Sequence, residues 1–492
     1  MNRRQPAWKA DALPTELHPR LVGLFYHKII ALASLKNMYD DTIAAIATPP
    51  GEGGIGIVRL SGPQAVAIAQ KVFQPKKPGP LRSHHVRYGH IVDSKGKIVD
   101  EALTTLMRSP HSFTREDVVE FACHGGPLPV QLILELVLAA GARLANPGEF
   151  TLRAFLNGRL DLSQAEAVLD IIHAQTATGL ALAEAQLSGW LAQTVGRIRA
   201  DLLNALAYVT VTLDFPEDEV AVEDIGPNLT ANLAAVEQLL ATAAQGMVYR
   251  QGARAVLVGR PNVGKSSLLN ALLRANRAIV TPVPGTTRDT LEETANLAGI
   301  PVVLIDTAGI TASSDLVEQL GIERSRAALL SADLALLVLE NHQEISAADA
   351  EIAQLTFAKP TLLIWNKVDT SAKIEPPTLP FTHPRLVGTV QTSAHTGAGI
   401  DNLVQTIAKT LVGDQRVVAS AAHLVTNPRH RDALQRATAS LQAAVESQNL
   451  ALPPEFLASD LLIALNALGE LTGETVGEDL LETIFSRFCL GK

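Results

Sequence analysis

Eight consecutive residues carry the chemistry of phosphate binding. Gly259-Arg-Pro-Asn-Val-Gly264-Lys265-Ser266 follows the apolar run Ala255–Gly259 and precedes the helical stretch Leu268–Leu273. A loop between strand and helix turns its backbone N–H groups toward an anion at the positive helix end. Lys265 adds a point charge for β- and γ-phosphates, and the Ser266 hydroxyl is a candidate Mg2+ ligand. Asn262, Val263, Gly264 and Ser267 complete the candidate loop. Asp306-Thr307-Ala308-Gly309 ends a second apolar run. There a carboxylate can hold Mg2+ through water, and a glycine N–H can meet a γ-phosphate. Asn366-Lys367-Val368-Asp369 ends a third run. A carboxylate at Asp369 can accept both N–H donors of guanine. Adenine lacks that pair, so ATP would leave a desolvated acceptor unpaired. Ser393-Ala394-His395, after Val390, offers a backbone N–H to guanine O6. Thr287, in the stretch Thr281–Asp289, is the candidate second Mg2+ ligand and γ-phosphate sensor, weighed against a plain turn residue. The set predicts a guanine-nucleotide P-loop GTPase.

These residues need strand ends to hold them. Ala255–Gly259, Val302–Asp306, Leu334–Leu339 and Thr361–Asn366 are short apolar runs that predict a mostly parallel, buried sheet. Residues 41–156 predict a mixed α/β domain. Its strands are Thr42–Ala47, Ile55–Leu60, Val86–Val92, Ile98–Met107 and Val118–Ala122, with a helix over Val66–Phe73. Residues 157–249 and 420–492 predict helices, the first opened by a capping box over Ser163–Glu166. The simplest arrangement packs the two helical segments together and inserts the second α/β domain between them. The expected divisions are 1–37, 38–156, 157–249, 250–412 and 413–492.

Composition bounds the rest. The chain has 492 residues, a net charge of -9, 47% apolar residues and 4% aromatics. An acidic protein has no global attraction for nucleic acid, so RNA binding requires a local basic patch. Cys123 and Cys489 make no disulfide framework and fit a reducing compartment. No stretch is apolar for the ~18 residues a membrane span needs. The expectation is a cytoplasmic protein without a membrane partner. Residues 1–37 read as a flexible extension or a mis-assigned start before Met38.

Several longer stretches are more specific: TPPGEGGIGIVRLSG (48–62), SFTREDVVEFACHGG (112–126), PGEFTLRAFLNGRLDLSQAEAV (147–168), PGTTRDT (284–290) and the terminal CLGK (489–492). With the nucleotide motifs they make residues 38–492 similar to the MnmE (TrmE) family of tRNA wobble-uridine modification GTPases. The resemblance implies an N-terminal α/β domain that binds a tetrahydrofolate derivative and dimerises. It also implies a discontinuous helical domain and an inserted Ras-like P-loop G domain.

It further implies that Thr281, Pro282, Val283, Pro284, Gly285, Thr286 and Thr287 contact GTP. Asn262, Thr281, Val283 and Thr286 would hold K+, which takes the place of an arginine finger at the phosphates. Glu318 would orient or deprotonate water, joining Lys265 in catalysis. Folate contacts would fall on Arg59, Glu120, Arg159 and Lys492, with Arg159 where relatives often carry lysine. Glu52 stands where relatives often carry arginine, against an anion-binding role for its loop. Cys489 is either a reactive thiol or a buried structural one. The implied assembly is a homodimer joined by an FAD-carrying flavoprotein in a heterotetramer. It would add an aminomethyl or carboxymethylaminomethyl group at C5 of the wobble uridine of tRNA. Two competing readings are a GTP-dependent ribosome-assembly switch and a P-loop ATPase. Folate binding and nucleotide competition discriminate them.

Overall fold

A computed structural model of the chain describes residues 39–214, 224–276, 292–306, 327–341, 343–370, 379–413 and 423–492. The chain divides into two compact units. One comprises Met1–Glu166, Ala192–Asn232 and Ala439–Lys492, and the other Ala167–Leu191 and Leu233–Thr438.

The first unit contains a seven-stranded sheet in the order β3-β4-β5-β6-β2-β1-β7. Its strands are β1 (Ile43–Ile46), β2 (Gly53–Ser61), β3 (Phe73–Pro75), β4 (Val86–Val92), β5 (Ile98–Met107), β6 (Val118–Gly125) and β7 (Arg143–Leu144). All neighbouring pairs are antiparallel except β1 with β7. Alternate residues point to one face, where Val58, Leu60, Ile91, Leu106 and Phe121 form a core with the helices Ala65–Val72 and Pro127–Ala139. On the opposite face, Ile43 and Ala45 pack with Ala145 and Phe150.

The helix Glu149–Leu156 is anchored by charge. Arg153, 1% exposed, pairs with Asp41 at 2.5 Å, Glu149 at 2.8 Å and Glu116 at 3.3 Å. Arg143 adds a second bridge to Glu149 at 2.6 Å. Burial pushes the Glu149 carboxyl up, but Arg143, the Asn146 amide and Arg153 outweigh it and hold it low. Burial raises Glu116 in spite of Arg153 and Ser61. The signs therefore oppose. Glu149 contributes stability that is lost as pH falls through its folded pKa. Glu116 contributes stability that is lost as pH rises through its own.

The second unit contains a six-stranded sheet in the order β13-β12-β11-β8-β10-β9. Its strands are β8 (Ala253–Val258), β9 (Glu292–Leu297), β10 (Ile300–Asp306), β11 (Leu334–Glu340), β12 (Thr361–Asn366) and β13 (Leu386–Gln391). Every neighbouring pair is parallel except β9 with β10. Ala255 and Leu257 face one core while Val256 and Val258 face another, so β8 is covered on both sides. This explains the unbroken apolar runs in sequence. The β9–β10 hairpin was not among the expected strands. It turns on Ala298 and Gly299, both at positive φ, as a two-residue turn with the right twist requires.

The expected capping box at Ser163 is displaced. The helix is Leu162–His173. Asp161 Oδ1 accepts from the Gln164 amide at 3.0 Å, and Gln164 Oε1 accepts from the Asp161 amide at 3.0 Å. Ser163 is instead inside the helix and donates to Asp161. Leu162 and Ala165 are fully buried, so the helix must start early enough to carry both inward.

Replacing Arg153 by alanine empties a fully buried position, leaves the buried Glu149 with Arg143 alone and takes the ion-pair partner from Glu116. Urea titration followed by circular dichroism should show a loss of ~3–5 kcal/mol. Arg108→Ala, which removes an exposed pair with Asp117, should lose under ~1 kcal/mol. Equal midpoints for the two variants would contradict the anchoring role.

Candidate functional site

The second unit brings its chemistry together at the ends of β8, β10 and β12. Gly259 leaves β8 at φ 154°, and a Cβ there would meet the Val338 carbonyl oxygen at 2.4 Å. Gly264 has φ 96°, and a Cβ there would meet Asn366 Nδ2 at 2.4 Å. Both positions need glycine because the loop runs against neighbouring strands. Asn262, exposed at the loop's crest, has φ 67°, a region asparagine tolerates.

The helix Lys265–Asn276 begins at the lysine of the phosphate-loop pattern. Lys265 Nζ donates to the carbonyls of Gly259 and Arg260, both at 2.8 Å. Burial lowers its pKa, and nearby Asp306 partly restores it. A desolvated ammonium held by two neutral carbonyls is suited to trade them for phosphate oxygens. Ser266 Oγ donates to Asp306 Oδ2 at 2.6 Å. These two oxygens fit a hard divalent cation such as Mg2+. Among the described residues no group of three or more His, Cys, Asp or Glu could hold a metal. Thr287, the other expected Mg2+ ligand, lies outside the described residues.

Asn366 joins the loops. Its Nδ2 donates to the Val263 carbonyl at 2.9 Å. Its Oδ1 accepts from the Ala394 amide at 3.1 Å and the Thr392 hydroxyl at 3.3 Å. The Ala394 N–H, expected at guanine O6, thus bonds Asn366 in this structure. Lys367, at φ 64°, pairs with Glu340 at 3.2 Å. Val368 and Asp369 lie in a 3-10 turn, with Asp369 exposed. Ser393 is buried, and its hydroxyl accepts from the Thr396 amide at 3.1 Å, while His395 and Ser267 are exposed.

Sequence reasoning missed the support beneath the phosphate loop. Arg260 Nε donates to Asp349 Oδ1 at 2.6 Å. Asp349 also closes a capping box with Ser346 at the helix Ala347–Leu355. The Ser-x-x-Asp pattern was the available signal. Thr281, Pro282, Val283, Pro284, Gly285, Thr286, Thr287, Thr307, Ala308, Gly309 and Glu318 lie outside the described residues.

A second charged cluster lies in the first unit. Arg59 Nε pairs with Glu120 Oε1 at 2.7 Å, and Arg59 Nη1 donates to the Gly491 carbonyl at 3.1 Å. The Arg59 guanidinium stands 5.7 Å from the Phe150 ring centroid. Burial lowers the Lys492 pKa, and Arg59 lowers it further. Three of the four expected folate contacts, Arg59, Glu120 and Lys492, are thus neighbours. Arg159 is held elsewhere, donating to the Phe113 carbonyl at 2.8 Å and lying 4.8 Å from that ring's centroid. Phe113 packs against the cluster containing Phe150, which links the two arginines through aromatic rings.

The comparisons with known proteins cover both units. The family model for the GTP-binding protein TrmE N-terminus matches residues 42–159. That for the MnmE helical domain matches residues 162–489. A tRNA modification GTPase MnmE from Chloroflexus aurantiacus is 62% identical over 453 residues, covering 92% of this chain and 100% of that protein. The chain belongs to the MnmE family. A second MnmE, from Roseiflexus castenholzii, is 58% identical over 465 residues, again across 92% of this chain and 100% of the relative. That from Symbiobacterium thermophilum is 48% identical over 464 residues, with the same coverage of both chains. Among the described residues no helix is long and apolar enough to cross a membrane.

The two cysteines of this MnmE family member differ physically. Cys123 is buried, donates to the Gly56 carbonyl at 3.3 Å, and its thiol is pushed up to about 11 by burial and Asp100. Cys489 is exposed, against the buried alternative. The thiolate is the reactive form. A maleimide at neutral pH should therefore label Cys489 alone in the native protein, and both residues after denaturation. Mass spectrometry that finds Cys123 modified in the native protein would contradict this.

Proposed function

We propose that the chain is a potassium-activated GTPase that modifies tRNA. In this reading it works with an FAD-containing flavoprotein to add an aminomethyl or carboxymethylaminomethyl group at C5 of the wobble uridine. A methylene-tetrahydrofolate is the one-carbon donor. The family membership supports the GTPase and tRNA parts. The carrying observation is the convergence of Lys265, Ser266, Asp306 and Asn366 on three strand ends.

Each residue then has a task. Lys265 releases its loop carbonyls to hold β- and γ-phosphate oxygens, while Ser266 and Asp306 serve Mg2+. Asp369 selects guanine. Asn262, with Thr281, Val283 and Thr286, supplies neutral oxygens to K+, whose charge offsets that developing on the transferred phosphoryl group. Glu318 orients the attacking water. Thr287 senses the γ-phosphate, and the G-domain pair closes and opens with hydrolysis.

The domain arrangement we infer is an N-terminal folate-binding and dimerisation domain over 38–156. A helical domain follows from 157–249 and 413–492, with a G domain over 250–412. Arg59, Glu120 and Lys492 suit the folate. An arginine and a lysine can hold its carboxylate tail, and Glu120 can accept pterin N–H donors. Arg159 fits this set less directly because Phe113 already engages it. Two copies of the chain and two of the flavoprotein would form the working heterotetramer in the cytoplasm.

GTP hydrolysis measured in KCl and in NaCl at equal ionic strength tests the proposal. Faster turnover in potassium is expected, and Asn262→Ala should remove the difference. Equal rates in the two salts would remove the cation assignment.

A further inference from the structure

The chain carries a net charge of -9, yet one stretch reverses that sign. Residues 53–92 contain Arg59, Lys71, Lys76, Lys77, Arg82 and Arg87, with His84, His85 and His90, and no aspartate or glutamate. The fold gathers most of these at one end of the first sheet. The Lys76 amide donates to the Tyr88 carbonyl at 3.1 Å, which sets the chain after β3 beside β4. Arg87 Nη2 donates to the Lys77 carbonyl at 2.5 Å. The His85 amide donates to the Arg82 carbonyl at 3.2 Å, closing a turn that enters β4. Lys76, Lys77, Arg82, His84 and His85 are all exposed. Arg108 also lies near this end, but Asp117 holds it in an ion pair, so it is left out of the surface charge.

Apolar and aromatic groups lie among these cations. Val86 is 59% exposed, Leu103 46% and Tyr88 39%. Lys76 Nζ stands 5.3 Å from the Tyr88 ring centroid, and the Tyr88 hydroxyl donates to Glu101. β3 is an edge strand that ends in Pro75 and is followed by Pro78 and Pro80. Prolines and lysines there would also serve to block strand addition. That role explains neither the exposed tyrosine nor the lack of any acid through forty residues. A surface of cations around a ring fits a phosphate backbone with an unstacked base.

The register relates this surface to the folate-type cluster. Val86 lies opposite Thr105, Thr105 opposite Glu120, and Glu120 opposite Arg59. Opposed residues share a sheet face, so the exposed Val86 and the Arg59–Glu120 pair are on one side. Three strand spacings of ~4.8 Å separate them, about 14 Å. A polynucleotide held by its backbone at the basic end can therefore extend a base along the same face.

We propose that the surface formed by Lys76, Lys77, Arg82 and Tyr88 is where this protein holds its tRNA. The assignment rests on the reading of the chain as a tRNA-modifying enzyme. It names the part of the fold that meets the phosphates.

The test is binding of an unmodified tRNA transcript to the full chain, by fluorescence anisotropy, across a series of salt concentrations. The triple variant Lys76→Gln, Lys77→Gln, Arg82→Gln removes three exposed charges. It should weaken binding about tenfold at moderate salt and lower the slope of log affinity against log salt by about 2–3. Its GTPase rate without tRNA should equal the parent's. Lys95→Gln with Lys97→Gln, in the β4–β5 turn, should change neither slope nor affinity. If the parent binds and the triple variant binds equally, with the same slope, the surface assignment fails while the tRNA reading stands. The same result with lost capture of a flavoprotein partner would also overturn it, and would mark a protein-docking face. If the parent binds no tRNA at all, the tRNA reading fails and this proposal with it.

Discussion

One buried carboxamide ties the nucleotide site together. Asn366 is 1% exposed and satisfies both ends of its amide across three loops. Its nitrogen holds the phosphate loop through Val263, and its oxygen holds the Ser393 loop through Ala394 and Thr392. Gly264 lacks a side chain because this amide occupies the space. A polar group so enclosed is costly to leave unpaired. The Asn366 amide therefore fixes the distance between the loop for phosphates and the loop for the base. Lys265 and Asp306 add charge, and Ser266 a hydroxyl, to a frame already set.

The first unit follows the same logic with charge in place of an amide. Arg153 and Arg143 fix the helix Glu149–Leu156 against Asp41 and Glu116. That helix carries Phe150, over which Arg59 lies. Gly491 is held close to the sheet, since a Cβ there would meet the Ile46 carbonyl oxygen at 2.3 Å. The end of the chain thereby delivers a carbonyl to Arg59 and an ammonium beside it. A buried ionic network, an aromatic floor and the C-terminal residues together set the geometry of the cluster.

Much of this was legible in sequence where burial is two-sided. Thr361–Asn366 and Leu334–Leu339 read as strands because nearly every side chain is inside. The stretches expected to meet phosphate, magnesium and guanine each sit on such a strand end. The edge strand β13 was not read because its residues are mostly exposed or half-buried, and the β9–β10 hairpin turns on Ala-Gly, an uncommon signal. Ser163–Glu166 reads as a capping box, whereas Asp161 and Gln164 form the reciprocal bonds in the structure, because the buried Leu162 draws the helix start forward. The pairing of Arg59 with Glu120 spans 61 residues, and its contact with Gly491 spans 432. No local pattern reports partners so distant: the resemblance names Arg59, Glu120 and Lys492, and nothing in the sequence points to Gly491.

The most direct measurement is the affinity of the chain for GDP and ADP, with and without Asn366→Ala. Three groups that Asn366 now satisfies would lose their partner, at ~1–3 kcal/mol each. The parent should prefer GDP strongly. The variant should keep its circular dichroism spectrum and lose more than ~10-fold in GDP affinity, since 1.4 kcal/mol is tenfold. A parent that binds both nucleotides equally, or a variant that binds GDP as tightly as the parent, would contradict the account.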